Sequence, residues 1–466
     1  MEDGTERYPL SSEQGWEGSL KSSLISAIKG LHQEDIFSPA TLAFLVRVAG
    51  AALQFGFTVL LAHYYGSTGV GIFVIALSIL VISSTIARWG FDQATLKLVA
   101  SNLVGDHQEN VRLIVKFARN VVLTSSTIGM VVLILLSEWL ALLFFDSRSM
   151  SHVIIILAFA MIPFSLSVLF AEALRGMKRI GSYSMLHGAL IPLFSILALI
   201  FLRIWVDDII TGAYAYLIAS LITMFVGISI WAKFTPTPEA SQSKRLDSNN
   251  RQELLSISPA LAWISIISVA MSFTETFILG IFHHESDVGL YAAALRLALL
   301  LNFIIIAFNS ILAPNYASLY KKGDLQTMQS LTRNSILVML GITLPMALVF
   351  ILFPDAVLSI FGEEFLDAAS ALILLTVGQL INVLSGPVGI LLQMTGREKV
   401  FRNNVLIASI ATLSSSLLLI PSYAVIGASI SAVFGIFLLN ALSVFSVRKH
   451  LGIYPLSFKI HFLSSH

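Results

Sequence analysis

The chain has 466 residues, of which 56% are hydrophobic and only 12% charged, with a formal net charge of +1. At a mean hydropathy of +0.85 it cannot clothe itself in a water-compatible surface, which excludes an ordinary soluble protein. The near-neutral balance offers no global attraction for nucleic acid, and the absence of cysteine excludes disulfides, thiolate metal sites and cysteine nucleophiles.

Residues 1–38 open MEDGTERYPLSSEQGWEG, without a basic head leading into an apolar core, so they read as an acidic tail and not as a secretory signal. Residues 19–30 place Leu20, Leu24, Ile25 and Ile28 beside Lys21 and Lys29. That pattern fits an amphipathic helix on the membrane surface and a frayed tail equally.

From residue 39 onward apolar segments recur near 41–62, 69–91, 113–136, 152–174, 184–204, 210–232, 257–282, 288–312, 333–353, 368–393, 404–421 and 424–446. Each approaches the roughly 20 residues a helix needs to cross hydrocarbon, which predicts twelve spans. Ionisable and polar residues inside them are costly in lipid and mark the positions to watch.

In span 1, Arg47 shares a helical face with Ala51, Gln54 and Thr58, small and polar as a cavity wall requires. Arg88 lies near the inner end of span 2 beside Trp89 and Asp92, where it either snorkels and pairs locally or meets a substrate. Span 7 carries Ser265, Ser268, Ser272 and Glu275 on one face, for helix packing or for cavity lining. Arg296 enters span 8 at a depth similar to Glu275, so the two either pair or serve the cleft separately. Asn302 and Asn309 share a face of span 8, and Gln379 and Asn382 precede a break expected at Gly386-Pro387.

Basic residues set the orientation, because Lys and Arg collect on the cytoplasmic side. Alternate connections hold Lys97, Arg112 and Lys116, then Arg175, Lys178 and Arg179, then Lys244 and Arg245, and later Lys321, Lys322, Arg397 and Lys399. The opposite connections hold Asp207, Asp208, Glu285, Glu363 and Glu364. Both termini are therefore expected in the cytoplasm.

The chain also repeats itself. HYYGSTGVGIF at 63–73 aligns with IFHHESDVGLY at 281–291, placing Gly71 on Gly289, and Gly105-Asp106-His107-Gln108 aligns with Gly323-Asp324-Leu325-Gln326 at the same offset. Each span matches the one six places later, so the halves share orientation. The expected organisation is a cytoplasmic tail at 1–38, a six-helix bundle at 39–232, a polar cytoplasmic linker at 233–256, a second six-helix bundle at 257–446 and a cytoplasmic tail at 447–466.

With these residues in hand, LLAHYYGSTGVGIFVIALSIL, ARWGFDQATLKLVA and the Gly-Asp-x-Gln loop resemble the polysaccharide-export flippases. These are the O-antigen and capsule repeat-unit carriers of the superfamily that also holds the multidrug and toxic-compound extrusion carriers and the lipid II flippases. The resemblance implies an all-α polytopic membrane fold of two parallel-repeat bundles whose spans 1, 2, 7 and 8 line a cleft. It implies a flippase, not an enzyme, that moves an undecaprenyl-diphosphate-linked oligosaccharide repeat unit across the bacterial inner membrane for surface polysaccharide such as lipopolysaccharide. The implied partners are that lipid-linked oligosaccharide and membrane lipid; a coupling ion, proton or sodium, and a polysaccharide polymerase stay open. Lipid II flippases usually carry two further helices, which are not found here.

A diphosphate-sugar head group needs a wet, cationic cavity to cross hydrocarbon. The candidate cavity residues are Arg47, Gln54, Arg88, Ser268, Ser272, Glu275, Arg296, Asn302 and Asn309. No cofactor is expected, and no metal either, because the adjacent His283-His284 point apart on regular structure and a metal needs more ligands. No GxxxxGK[ST] loop for direct ATP drive is present. A cation-coupled small-molecule or multidrug antiporter is the alternative within transport. A membrane glycosyltransferase or polymerase is the enzyme alternative, for which Asp207-Asp208 lacks an external domain to position a sugar donor.

Overall fold

The structure, a computed structural model, describes residues 39–104, 108–144, 148–235 and 246–455. The expected helix at 19–30, residues 105–107 of the first Gly-Asp-x-Gln loop, the middle of the linker and the end of the C-terminal tail lie outside the described residues. Those described are helical with no strands.

Helix α1 (Pro39–Arg88) has 50 residues and α15 (Glu398–Leu451) has 54, more than twice what one crossing takes. Each is two spans in series. Gly66, at φ 65°, turns α1 back on itself, and Ala424, at φ 46° three residues after Pro421, turns α15. Gly66 occupies the left-handed region without a Cβ penalty.

Among the described residues ten helices are long and apolar enough to cross a membrane, and the two breaks bring the crossings to the twelve that hydropathy predicts. In chain order α1 is followed by α2 (Phe91–Val104), α3 (Gln108–Phe144) and α4 (Arg148–Gly176). Span 5 consists of α5 (Ile180–Ser184), a π turn (Met185–Ala189) and α6 (Leu190–Leu202), and span 6 is α7 (Ile210–Phe234).

The second half opens with span 7, broken at Phe273 into α8 (Ser248–Ser272) and α9 (Thr274–Phe282). Then come α10 (Glu285–Lys322), α11 (Leu325–Leu352), the short α12 (Pro354–Leu358), a 3₁₀ turn (Glu363–Ala368), α13 (Ala369–Ser385) and α14 (Val388–Met394). The break expected at Gly386-Pro387 separates α13 from α14. Two boundaries move relative to expectation. Helix α8 begins at Ser248, so residues 248–256 belong to a helix and not to the linker, and α15 runs on to Leu451, into the expected tail. In both places polar residues extend a helix past the apolar segment that hydropathy detects.

The Gly-Asp-x-Gln loop is a helix stop and start. Helix α10 ends at Gly323, and Asp324 caps α11 by accepting the Thr327 N–H at 2.9 Å. Hydrogen bonding from Thr327, its side chain first and its N–H second, holds the Asp324 carboxyl below the usual carboxylate range.

No helix pair packs more extensively than α1 and α10, which join the halves. A Cβ added at Gly71 would come within 1.8 Å of the Glu285 carbonyl oxygen, and one added at Gly289 within 2.0 Å of the Ser67 carbonyl oxygen. Glu285 stands four residues before Gly289, as Ser67 does before Gly71. The contact is thus reciprocal, as a twofold axis between repeated units requires, and small residues let the two backbones meet. The largest buried cluster straddles this axis, with Phe57, Phe73 and Leu80 of α1, Val288, Tyr291 and Leu297 of α10, Phe361 just before the 3₁₀ turn and Phe365 within it.

The twofold is broken at span 7. Helix α9 packs on α15, but α8 packs on α1 and α2 of the first half. There Trp89 and Trp263 meet edge to face at 6.2 Å, and Leu254 joins the cluster around Phe91 and Leu98.

Candidate functional site

Most of the candidate residues stand on the four spans around the twofold axis. On α10, Arg296 lies seven residues past Gly289 and so on the same helical face, about two turns beneath the backbone contact. It is half-buried, and among the described residues it has neither an ion pair nor a hydrogen bond. The three ion pairs found there are Arg88–Asp92 at 3.2 Å, Arg175–Glu172 at 3.3 Å and Arg203–Asp207 at 3.5 Å.

Glu275 and Arg296 therefore do not pair, and the pairing alternative fails. Its physical reason is the break at Phe273, which puts Glu275 in the first turn of α9. Free N–H groups and the positive end of the helix dipole stabilise a carboxylate at that position. Glu275 is half-buried, and on the same helical stripe Ser268 and Ser272 are exposed, with the Ser272 hydroxyl bonded to the Ser268 carbonyl at 2.9 Å. The serines are thus not buried in a helix–helix contact. Asn302 and Asn309 are half-buried on α10, and the Asn309 side-chain oxygen is buried without a partner.

The first half presents a different arrangement. Arg88, the last residue of α1, is 6% exposed and fully engaged, donating to Asp92 at 3.2 Å, Ser84 Oγ at 3.0 Å and Thr85 Oγ1 at 3.0 Å. The local pairing weighed from the sequence is what the structure shows for it. Arg47 is exposed near the start of α1, its guanidinium 6.0 Å from the centre of the Tyr183 ring, and Gln54 one face-repeat further is half-buried.

Sequence reading missed the residues that surround Arg47. Arg175 of α4 lies 5.1 Å from the centre of the same Tyr183 ring, and His187 stacks on that ring at 5.2 Å and 18°. His187 belongs to the π turn, a local widening of the helix that recurs at functional sites. Glu172, 3% exposed, pairs with Arg175. The i,i+3 spacing of Glu172 and Arg175 was visible; the π turn has no sequence signature. Chemically, the first half offers cations gathered about one aromatic ring, and the second half offers an arginine with no partner among the described residues. Both suit an anionic ligand.

Three comparisons bear on this arrangement. A family model described as "Polysaccharide biosynthesis protein" matches residues 60–370. The chain is 22% identical over 404 residues, 83% of this chain and 78% of the relative, to the "Probable low-salt glycan biosynthesis flippase Agl15" of Haloferax volcanii. Among solved structures, it resembles an inward-facing multidrug resistance transporter of the MATE family (TM-score 0.68, 14% identity, 88% of this chain and 98% of that one). It equally resembles the lipid II flippase MurJ in an inward closed conformation (TM-score 0.69, 14% identity, 88% of this chain and 87% of that one). These two likenesses establish the fold, and the match over residues 60–370 establishes the family. The chain is a multi-pass membrane protein with the architecture of these flippases and transporters, and it belongs to the polysaccharide biosynthesis protein family.

Proposed function

We propose that the protein is a flippase that carries a lipid-linked oligosaccharide, an undecaprenyl-diphosphate-linked repeat unit of a surface glycan such as O-antigen, from the cytoplasmic to the outer face of its membrane. The observation that carries this reading is Arg296. A charge in the middle of a membrane helix, with no protein partner among the described residues, is stable only where water or an anion reaches it. A diphosphate supplies such an anion, and the guanidinium fork matches its oxygens.

The relative from Haloferax volcanii is named for glycan biosynthesis, which supports a glycan cargo and extends the reading to archaeal membranes. Positive charge on the Lys97, Arg175, Lys322 and Arg397 connections supports cytoplasmic termini. The Haloferax volcanii relative is named a flippase, and the two solved structures a transporter and a flippase, which favours transport over catalysis. Coupling to a proton or sodium ion, and work alongside a polymerase, are compatible extensions of this reading.

Depletion of the protein in its host tests the proposal. The expected result is assembled lipid-linked repeat units accumulating on the cytoplasmic leaflet, inaccessible to an impermeant lectin until the cells are opened. Loss of sugar assembly itself, with no lipid-linked intermediate formed, would point to a transferase instead.

A further inference from the structure

Among the contacts that close the two halves together at the end of the bundle that carries the acidic connections, three bear on its opening. The first is the reciprocal backbone approach of Gly71 to Glu285 and of Gly289 to Ser67. The second is Phe361, fully buried, whose ring meets Phe55 of span 1 edge-on at 5.4 Å. The third is a carboxylate. Glu364 Oε2 accepts the Ser67 N–H at 2.9 Å and the Ser67 hydroxyl at 3.1 Å.

Ser67 is the first residue after the Gly66 break, so its N–H is one of the donors a helix start leaves without an internal partner. The twofold shows what is unusual here. The repeat mate of Ser67 is Glu285, where α10 begins, and that helix supplies its own acids, Glu285 and Asp287, in its first turn. The arm starting at Ser67 runs Ser67-Thr68-Gly69-Val70 and has none. Its negative charge comes from Glu364, in the opposite half. The same electrostatic need is met within one helix at one start and between the halves at the other.

Glu364 is exposed, so water can replace its bonds when they break. The buried phenyl and backbone contacts have no such substitute. We propose that Glu364 is the latch of a gate at this end. Its bonds to Ser67 hold the halves shut here while the region around Arg296 is open to the other end, and their release lets span 2 draw away from the 361–368 turn. This rests on the reading of the protein as a carrier.

The chain has no native cysteine, so spin labels placed through Asp208→Cys in the first half and Asp355→Cys in the second report the separation of the halves without background. Both positions are exposed. Adding Glu364→Gln is expected to raise the long-distance population about tenfold relative to the closed one, the scale of lost bonds to a charged acceptor. Ser67→Ala, which keeps the N–H and removes the hydroxyl, is expected to shift it less and in the same direction. Distance distributions unchanged in both variants would overturn the latch. Because the distances need no substrate, a failure of the glycan reading would leave this result standing. Independently, joining Ser67→Cys to Glu364→Cys with a short reducible bifunctional thiol reagent should arrest transport until reductant is added. Undiminished transport by the joined protein would also overturn the proposal.

Discussion

Gly289→Ala is expected to destabilise the protein severely, and Gly71→Ala to do so by a similar amount. In each case the new methyl would sit about 2 Å from a main-chain carbonyl oxygen of the facing span, and a backbone atom cannot swing aside as a side chain can. The spans must separate, which breaks the packing of α1 on α10 that joins the halves. Overpacking of that kind costs about 3 kcal/mol or more. Gly341 of α11 provides the contrast, because nothing lies within 4 Å of its added Cβ and its helical backbone is ordinary. Gly341→Ala should be neutral or stabilising by up to about 1 kcal/mol. Thermal unfolding in detergent, followed by size-exclusion fluorescence, separates these outcomes. Equal melting temperatures for the Gly289 and Gly341 variants would remove the twofold contact as a determinant of assembly.

The second large effect is expected at Arg296. Arg296→Gln should fold as well as the parent or better, since it removes a charge that no described residue compensates, and it should lose transport. Each charge-assisted bond to a diphosphate is worth roughly 1.5–3 kcal/mol, so loss of the guanidinium should weaken substrate binding at least about tenfold. Arg296→Lys keeps the charge without the planar fork and should retain part of the activity. The double variant with Glu275→Gln should stay inactive, because no ion pair exists whose removal could be compensated. Export in complemented cells, scored against protein level, reads all three. Recovery of export in the double variant would show that the two residues pair after all during the cycle.

Much of the architecture could be read before the structure. Twelve spans follow from hydropathy, because lipid imposes a length that sequence cannot disguise. The equivalence of Gly71 and Gly289 follows from the repeat. That the two glycines belong to one reciprocal contact does not, since a repeat fixes correspondence and leaves the position of the axis open. The break at Phe273 was likewise hidden. It has neither Pro nor Gly beside it, and it places Glu275 in the first turn of a new helix. The grouping of Arg47, Arg175 and His187 around Tyr183 joins spans 1, 4 and 5, which local periodicity cannot align. In the second half, the Gly-Asp-x-Gln loop used as a family signature serves a local purpose, capping a helix through Asp324.

Reconstituted transport tests the central claim most directly. Purified protein would be placed in liposomes carrying a diphosphate-linked polyprenyl oligosaccharide, and an impermeant glycosidase added outside would report how much of the glycan crosses from the inner leaflet. Glycan protected in protein-free liposomes should become fully cleavable with the native protein and remain protected with Arg296→Gln. No increase in cleavage with native protein, or an equal increase with the Arg296 variant, would contradict that claim.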